Sequence, residues 1–194
     1  MMKGKELVKD ILIPAAVLTA IALLATAALA FTNALTKPII EENQLGEAGL
    51  ARLELIPDAD KFASIDLTDE LAALGVVDVY AAENGAGTVI SVTEKGYNGS
   101  FTVMVGFNPD GAVVAYKALT HAETEGLGSK VFETPFVDQF IGKVPGELTV
   151  VKGTAGTDNE IAAVAGATIS SNAVTLAVNH AGDAFAILQG GGLI

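Results

Sequence analysis

The feature that most constrains the fold of this chain is an uncharged segment near its amino terminus. Residues 11–36 form a run of 26 residues without a formal charge, and the strongly apolar part, 11–31, has 21 residues. At about 1.5 Å per residue, a helix of that length rises about 30 Å, which matches the hydrocarbon core of a bilayer. The sequence therefore predicts a transmembrane helix over residues 11–32.

The same segment has a second interpretation as a secretory signal peptide. Ala28, Leu29 and Ala30 fit the small-residue pattern that precedes a cleavage site. The apolar region of a signal peptide is about 7 to 15 residues long, which is shorter than this run. The length therefore favours an uncleaved anchor.

Basic residues are distributed unevenly around this helix. Lys3, Lys5 and Lys9 precede it, whereas only Lys37 follows it closely. By the positive-inside rule, residues 1–10 are cytoplasmic and the rest of the chain after the helix is extracytoplasmic. This predicts a single-pass protein of the cell (inner) membrane.

The chain beyond residue 10 is acidic. It holds 8 of the 11 basic residues and 21 of the 23 acidic ones, a net charge of −13. That charge argues against nucleic acid or anionic lipid as a partner of the outer domain. The chain has no Cys, which excludes disulfides, thiolate catalysis and Cys-ligated metal centres.

Residues after the helix show strand and helix patterns in separate runs. Lys37–Pro38 predicts a helix break. After the membrane segment we predict a linker and helical region over 33–80, a main domain over 81–190 and a tail at 191–194. Residues 70–79 suit either a helix or a strand. The other predicted elements are strands over 88–93, 100–107, 112–119 and 148–152, a hairpin turn at 108–111, and helices over 41–52, 131–141 and 172–188. Together they predict an α+β fold: a single N-terminal transmembrane helix, then one domain with a mainly antiparallel sheet and flanking helices.

Residues 166–174 place a Thr hydroxyl between two tiny residues and the start of the final helix. Thr is an ordinary N-cap residue, so Thr168 has a purely structural interpretation. A helix N-terminus also favours an anion through its free N–H groups and its dipole. Thr168 is therefore also a candidate for esterification by a phosphate-bearing group.

Three stretches resemble the FMN-binding domain family. Residues 166–170 are similar to the end of its flavinylation motif, Asp-x-x-(Ser/Thr)-Gly-Ala-Thr-x-(Ser/Thr), with Ala162 and Ala165 at the Asp and first Ser/Thr positions. Residues 120–130 resemble the segment His-x-Glu-Thr-Pro-Gly-Leu-Gly, with Glu in place of Pro, and residues 95–99 and 103–106 resemble a Gly-Tyr-x-Gly strand region. Within the family, the chain is similar to the G subunit of the Rnf electron-transport complex and, more distantly, to the C subunit of the sodium-translocating NADH:quinone reductase.

This resemblance implies FMN joined to Thr168 through a phosphoester by a flavin transferase. It implies a redox relay, with no catalytic residues of its own, among the other membrane subunits of an ion-translocating ferredoxin:NAD oxidoreductase. The other cofactor-binding residues that it implies are Gly166, Ala167, Ser170, Ser171, Glu123, Thr124, Gly126, Leu127, Gly128 and Lys130.

Other functions remain open at this point. His121 and Glu123 lie two residues apart, but no further ligand has matching spacing, so no metal site is predicted. The first alternative is a membrane-anchored, non-redox binding or sensor domain in which Thr168 only caps a helix. The second is the flavin domain of a different extracytoplasmic electron-transfer chain.

Overall fold

A computed structural model describes residues 12–194, and for residues 34–35 and 37–45 it describes the backbone alone. Lys3, Lys5 and Lys9, on which the predicted orientation depends, lie outside the described residues. The chain divides into two compact units, Met1–Glu47 and Ala48–Ile194.

The first helix, α1, runs from Ile13 to Leu55. Its part Ile13–Asn33 has a mean hydropathy of 2.2, is long and apolar enough to cross a membrane, and is not buried inside the protein. Four Thr hydroxyls in α1 donate to the carbonyl four residues earlier at 2.8 to 3.0 Å. Lipid offers no partner to a hydroxyl, so this internal bonding suits a membrane-spanning helix.

The predicted helix break at Lys37–Pro38 is wrong. Helix α1 continues through these residues to Leu55 and includes the segment 41–52 that was predicted as a separate helix. A proline inside a helix removes one backbone hydrogen bond and bends the axis, but it does not always end the helix. Here the residues after Pro38 are mostly Glu, Gln, Leu and Ala, which have high helix propensity.

The second unit is built on a five-stranded antiparallel sheet in the order β1–β2–β3–β4–β5. Its strands are β1 (Phe62–Ser64), β2 (Val76–Ala82), β3 (Thr88–Lys95), β4 (Ser100–Phe107) and β5 (Val113–Thr120). A short helix, α2 (Asp69–Ala73), precedes β2, so the ambiguous residues 70–79 contain both kinds of element. The α+β prediction is confirmed, although β1 was not predicted.

The predicted hairpin turn joins β4 to β5. The Asn108 side chain organises it, because its Oδ1 accepts from the backbone N–H groups of Asp110 at 3.0 Å and Ala112 at 2.9 Å. This is the local side-chain bonding that makes Asn a favoured turn residue.

The long C-terminal helix, α4 (Thr168–Gly190), covers one face of the sheet. All six residues of its predicted apolar face are buried: Val174, Ala177, Val178, Ala181, Phe185 and Leu188. They share a core with sheet residues such as Ile90 and Val103. On the opposite face, Leu55 and Ile56 pack against Val89. The sheet is therefore buried on both faces, and α4 is held along its length.

The predicted single helix over 131–141 is wrong. The chain instead forms a 3₁₀ turn at Gly128–Phe132, a short α-helix, α3 (Thr134–Val137), and a second 3₁₀ turn at Asp138–Phe140. Glu133 has extended backbone angles, and Pro135 follows in the first turn of α3. A proline lacks the N–H that the interior of a continuous 131–141 helix would need at this position, but it is well tolerated in the first turn of a new helix, which agrees with the start of α3 at Thr134.

Tyr116 connects β5 to the first of these turns. Its buried hydroxyl donates to the carbonyl of Val131. Burial raises the pKa of the Tyr116 phenol well above its usual range. The phenol therefore stays protonated, and keeps donating, at neutral pH.

A small parallel sheet leads the chain into α4. It pairs β6 (Thr149–Val151) with β7 (Glu160–Ala162). The Gln139 amide bonds both backbone groups of Ala162: Oε1 accepts from its N–H at 2.7 Å, and Nε2 donates to its carbonyl at 3.2 Å. The strand that precedes residue 166 is therefore fixed from the side.

Candidate functional site

A cavity of about 210 Å³ lies at the amino-terminal end of α4. Three stretches of chain form it: the residues after β3, the residues after β5, and the turn into α4. The residues that line it are Tyr97, Glu123, Thr124, Leu127, Gly128, Gly166, Ala167, Thr168, Ile169 and Ser170.

The turn into α4 depends on Gly166. Its φ of 80° lies in the left-handed region, and a Cβ there would lie 3.1 Å from Leu127 Cδ1. Ala167 is the N-cap residue and makes no side-chain capping bond. In the described part of the chain, no protein acceptor takes the N–H groups of Thr168, Ile169 and Ser170. The first turn of α4 thus presents free donors and the positive end of a 23-residue helix.

The hydroxyl groups in this turn differ in their bonding. Ser170 Oγ donates to Glu123 Oε2 at 2.7 Å. Ser171 Oγ donates to the Ala167 carbonyl at 2.9 Å and accepts from the Val164 N–H at 3.0 Å. The Thr168 hydroxyl makes no hydrogen bond within the described residues, and it lines the cavity. Thr168 is also the first residue of α4, so it does not act as the N-cap that its structural interpretation expected.

Glu123 lines the cavity although it is only 5% exposed. Besides Ser170, it accepts a bond from the Tyr97 N–H at 2.7 Å through Oε1. The neighbouring His121 is exposed, and its ring packs 4.8 Å from that of Phe132. Among the side chains that the structure describes (12–33, 36 and 46–194), no group of three or more His, Asp and Glu residues is arranged to hold a metal ion.

Sequence comparison with known proteins gives the family. The FMN-binding domain family matches residues 96–183, and the RnfG N-terminal region matches residues 1–48. The G subunit of the proton-translocating ferredoxin:NAD(+) oxidoreductase complex of Clostridium ljungdahlii is 36% identical over 160 residues, covering 81% of this chain and 82% of the relative. The chain belongs to the RnfG family.

Two further similarities accompany this assignment to the RnfG family. The G subunit of the Na(+)-translocating ferredoxin:NAD(+) oxidoreductase complex of Acetobacterium woodii is 36% identical over 179 residues, covering 84% of this chain and 86% of the relative. A crystal structure of the C subunit of Na(+)-translocating NADH-quinone reductase from Parabacteroides distasonis is 20% identical, covers 62% of this chain and 68% of that chain, and superposes with a TM-score of 0.48.

In this member of the RnfG family, the cavity brings together most residues that the motifs indicated. Eight of them line it: Glu123, Thr124, Leu127, Gly128, Gly166, Ala167, Thr168 and Ser170. Three do not. Ser171 is buried beneath the turn, Gly126 donates its N–H to Ser129 Oγ at 2.9 Å, and Lys130 is exposed on the adjacent 3₁₀ turn.

Two cavity residues were not among the predicted ones. Tyr97 is 68% exposed and Ile169 is 57% exposed, and both lie at the cavity with large apolar surfaces. Each belongs to a stretch that carries the family resemblance. Their place at the cavity was not predicted, because the surface position of a large apolar residue depends on the tertiary fold.

Proposed function

We propose that this chain is a membrane-anchored electron-carrier subunit of an Rnf-type ferredoxin:NAD oxidoreductase complex, and that it carries FMN covalently on Thr168. The observation that carries the proposal is the location of the Thr168 hydroxyl and its lack of a hydrogen bond within the described residues. It lines the cavity, lies at the N-terminus of α4 and makes no hydrogen bond in the described residues, whereas Ser170 and Ser171 donate to internal acceptors. Membership of the family with an FMN-binding domain supports the same assignment.

The residues around the cavity fit a flavin phosphate. Three free N–H groups in the first turn of α4 and the helix dipole favour an anion beside Thr168. The exposed side chains of Tyr97, Leu127 and Ile169 offer apolar surface at the same place. The cavity of about 210 Å³ is smaller than a typical drug-sized ligand pocket of about 300 to 1,000 Å³. It is therefore suited to hold the phosphate end of a nucleotide and to leave the rest accessible to a partner.

The proposed attachment is a phosphoryl transfer that a flavin transferase catalyses. Thr168 Oγ1 forms a bond to the flavin phosphorus of a dinucleotide donor (FAD), the pyrophosphate bond breaks, and AMP leaves with the hydroxyl proton. The chain gains the mass of FMN less water. Bound FMN supplies the redox chemistry, while the protein supplies its position and its electrostatic surroundings. The ester keeps one negative charge, which the N–H groups of α4 stabilise.

The first test of this function is denaturing electrophoresis under ultraviolet light together with the intact mass. Protein from native membranes, or protein co-expressed with a flavin transferase, is expected to give a fluorescent band and one added FMN less water. A dark band at the unmodified mass would contradict the proposal and favour a binding or sensor module.

We place the other subunits of the complex within and beside the membrane. Residues 11–36 contain no ionisable side chain, so α1 lacks the intramembrane charges that an ion path requires. Any ion path of the complex therefore lies in other subunits. For this chain, α1 serves as an anchor that keeps the flavin domain near the membrane surface.

The proposed orientation is testable because the chain has no Cys. Lys152→Cys, in the exposed outer unit, is expected to react with a membrane-impermeant maleimide in intact spheroplasts. Lys5→Cys is expected to react only after lysis, because the positive-inside rule places it in the cytoplasm. The unsubstituted chain is the blank, and the reverse labelling pattern would refute the orientation.

A further inference from the structure

Three separate stretches of chain meet at the carboxylate of Glu123. Its two oxygens accept from the Tyr97 N–H and from Ser170 Oγ, both at 2.7 Å. These partners are 26 and 47 residues away along the sequence. A single buried side chain therefore connects the residues after β3, the residues after β5 and the first turn of α4.

Two glycines make room for this carboxylate. A Cβ on Gly96 would lie 2.0 Å from Glu123 Oε1, and a Cβ on Gly128 would lie 2.4 Å from Oε2. Real Cβ atoms do not approach that closely, so both positions need glycine as long as Glu123 stays where it is. The carboxylate is enclosed by backbone on two sides, which leaves it little freedom to move.

The bond to Ser170 also sets the rotation of the first turn of α4. A helix turns by about 100° per residue, so residues two apart project in very different directions. Ser170 is held toward Glu123 at 2% exposure, and this fixes where Thr168 projects. Because the Ser170 hydroxyl is bonded to Glu123, it is not available to take the flavin phosphate in place of Thr168.

We propose that Glu123 is a positioning residue for flavin attachment: by binding Ser170 and the Tyr97 amide, it directs Thr168 as the one available hydroxyl of the turn. This inference rests on the proposed function. Glu123 does not touch the reacting atoms in this scheme, because both of its oxygens are engaged with the protein. Its effect passes through the orientation of the first turn of α4.

The test compares Glu123→Gln with Glu125→Gln in the full chain in detergent. Each is incubated with FAD and a flavin transferase, and the rate of flavin incorporation is followed by in-gel fluorescence. Gln has only one acceptor oxygen, so one of the two buried donors loses its partner. With the chain as the varied substrate, we expect the kcat of the transferase to fall about tenfold or more, while its KM for the chain stays within about twofold. Glu125 is exposed and does not line the cavity, so its variant should match the parent chain.

A general loss of structure has a different kinetic signature. A partly unfolded chain acts as a lower concentration of substrate, so it would raise the apparent KM and leave kcat unchanged. That result, or unchanged kinetics in Glu123→Gln, would overturn the proposal. If the wild-type chain accepts no flavin, or accepts it elsewhere than Thr168, the proposed function itself fails. The two failures are thus distinguishable.

Ser170→Ala provides a second route if Glu123→Gln does not fold. It removes the hydroxyl donor and keeps the carboxylate, and we expect a lower kcat here as well. Where Glu123→Gln does fold, the losses in Glu123→Gln/Ser170→Ala should not multiply, because both residues act through the same contact. Fully multiplicative losses, or a normal kcat in Ser170→Ala, would count against Glu123 as a positioning residue.

Discussion

Thr168→Ala is expected to abolish covalent flavin attachment while leaving the stability of the second unit, Ala48–Ile194, nearly unchanged. The substitution removes the only hydroxyl of the turn that is not bonded within the described residues. That hydroxyl contributes no internal hydrogen bond, and Ala has high helix propensity, so the free energy of unfolding should change by no more than about 0.5 kcal/mol. In-gel fluorescence and intact mass report the attachment, and thermal unfolding reports the stability.

The matched control for this experiment is Thr154→Ala. Thr154 is also exposed, but it does not line the cavity and lies outside the turn into α4. We expect this variant to take up flavin normally, and Thr168→Ser to retain some attachment because it keeps a hydroxyl. Covalent flavin in Thr168→Ala would show that another residue is the acceptor, and loss in Thr154→Ala would show that the loss is not specific to the Thr168 hydroxyl.

The sequence predicted the start and the buried face of α4 better than the cavity around its amino-terminal end. Periodicity along 172–188 identified the buried face of α4, and the Gly-Ala-Thr pattern marked its start, since both are local properties. The partners of Glu123 are set by tertiary structure. Residue spacing alone gives no reason for Glu123 to meet Tyr97 and Ser170, which are brought to it by the sheet and by α4.

Both wrong helix predictions involve proline. At Pro38 the flanking helix formers carry α1 through, whereas Pro135 lies in the first turn of α3, directly after Glu133 has taken extended angles. The position of the proline relative to the helix start therefore differs between the two segments. Phe136 and Phe140, four residues apart, are both buried in the core, as one face of a helix would place them. Local propensity therefore gives the right residue types for the core but not the backbone path.

Ala162 shows a related limit of motif comparison. It stands at the Asp position of the family pattern, yet its backbone is fixed by the Gln139 amide, and the Val164 N–H is satisfied by Ser171. The turn into α4 is therefore supported without the Asp side chain. A local motif does not include residues that support the turn from distant positions in the sequence.

Phe140→Ala is expected to cause the largest loss of stability among the substitutions considered. Phe140 is fully buried, and its ring centroid lies 5.3 Å from that of Tyr116 and 5.5 Å from that of Phe136. Removing a buried Phe side chain costs about 3 to 5 kcal/mol, because apolar contact is lost and a cavity remains. For a unit of this size that corresponds to a fall in Tm of about 6 °C or more.

Ile141→Ala is the matched control, since Ile141 is the next residue, is also apolar and is 52% exposed. Its effect should stay within about 0.5 kcal/mol, which thermal unfolding of the full chain in detergent can resolve. Phe140 also adjoins Gln139, whose amide holds Ala162 ahead of the turn into α4. A large loss in Phe140→Ala beside a small one in Ile141→Ala would show that the segment at 128–140 is anchored in the core through Phe140. Equal losses would contradict that anchoring.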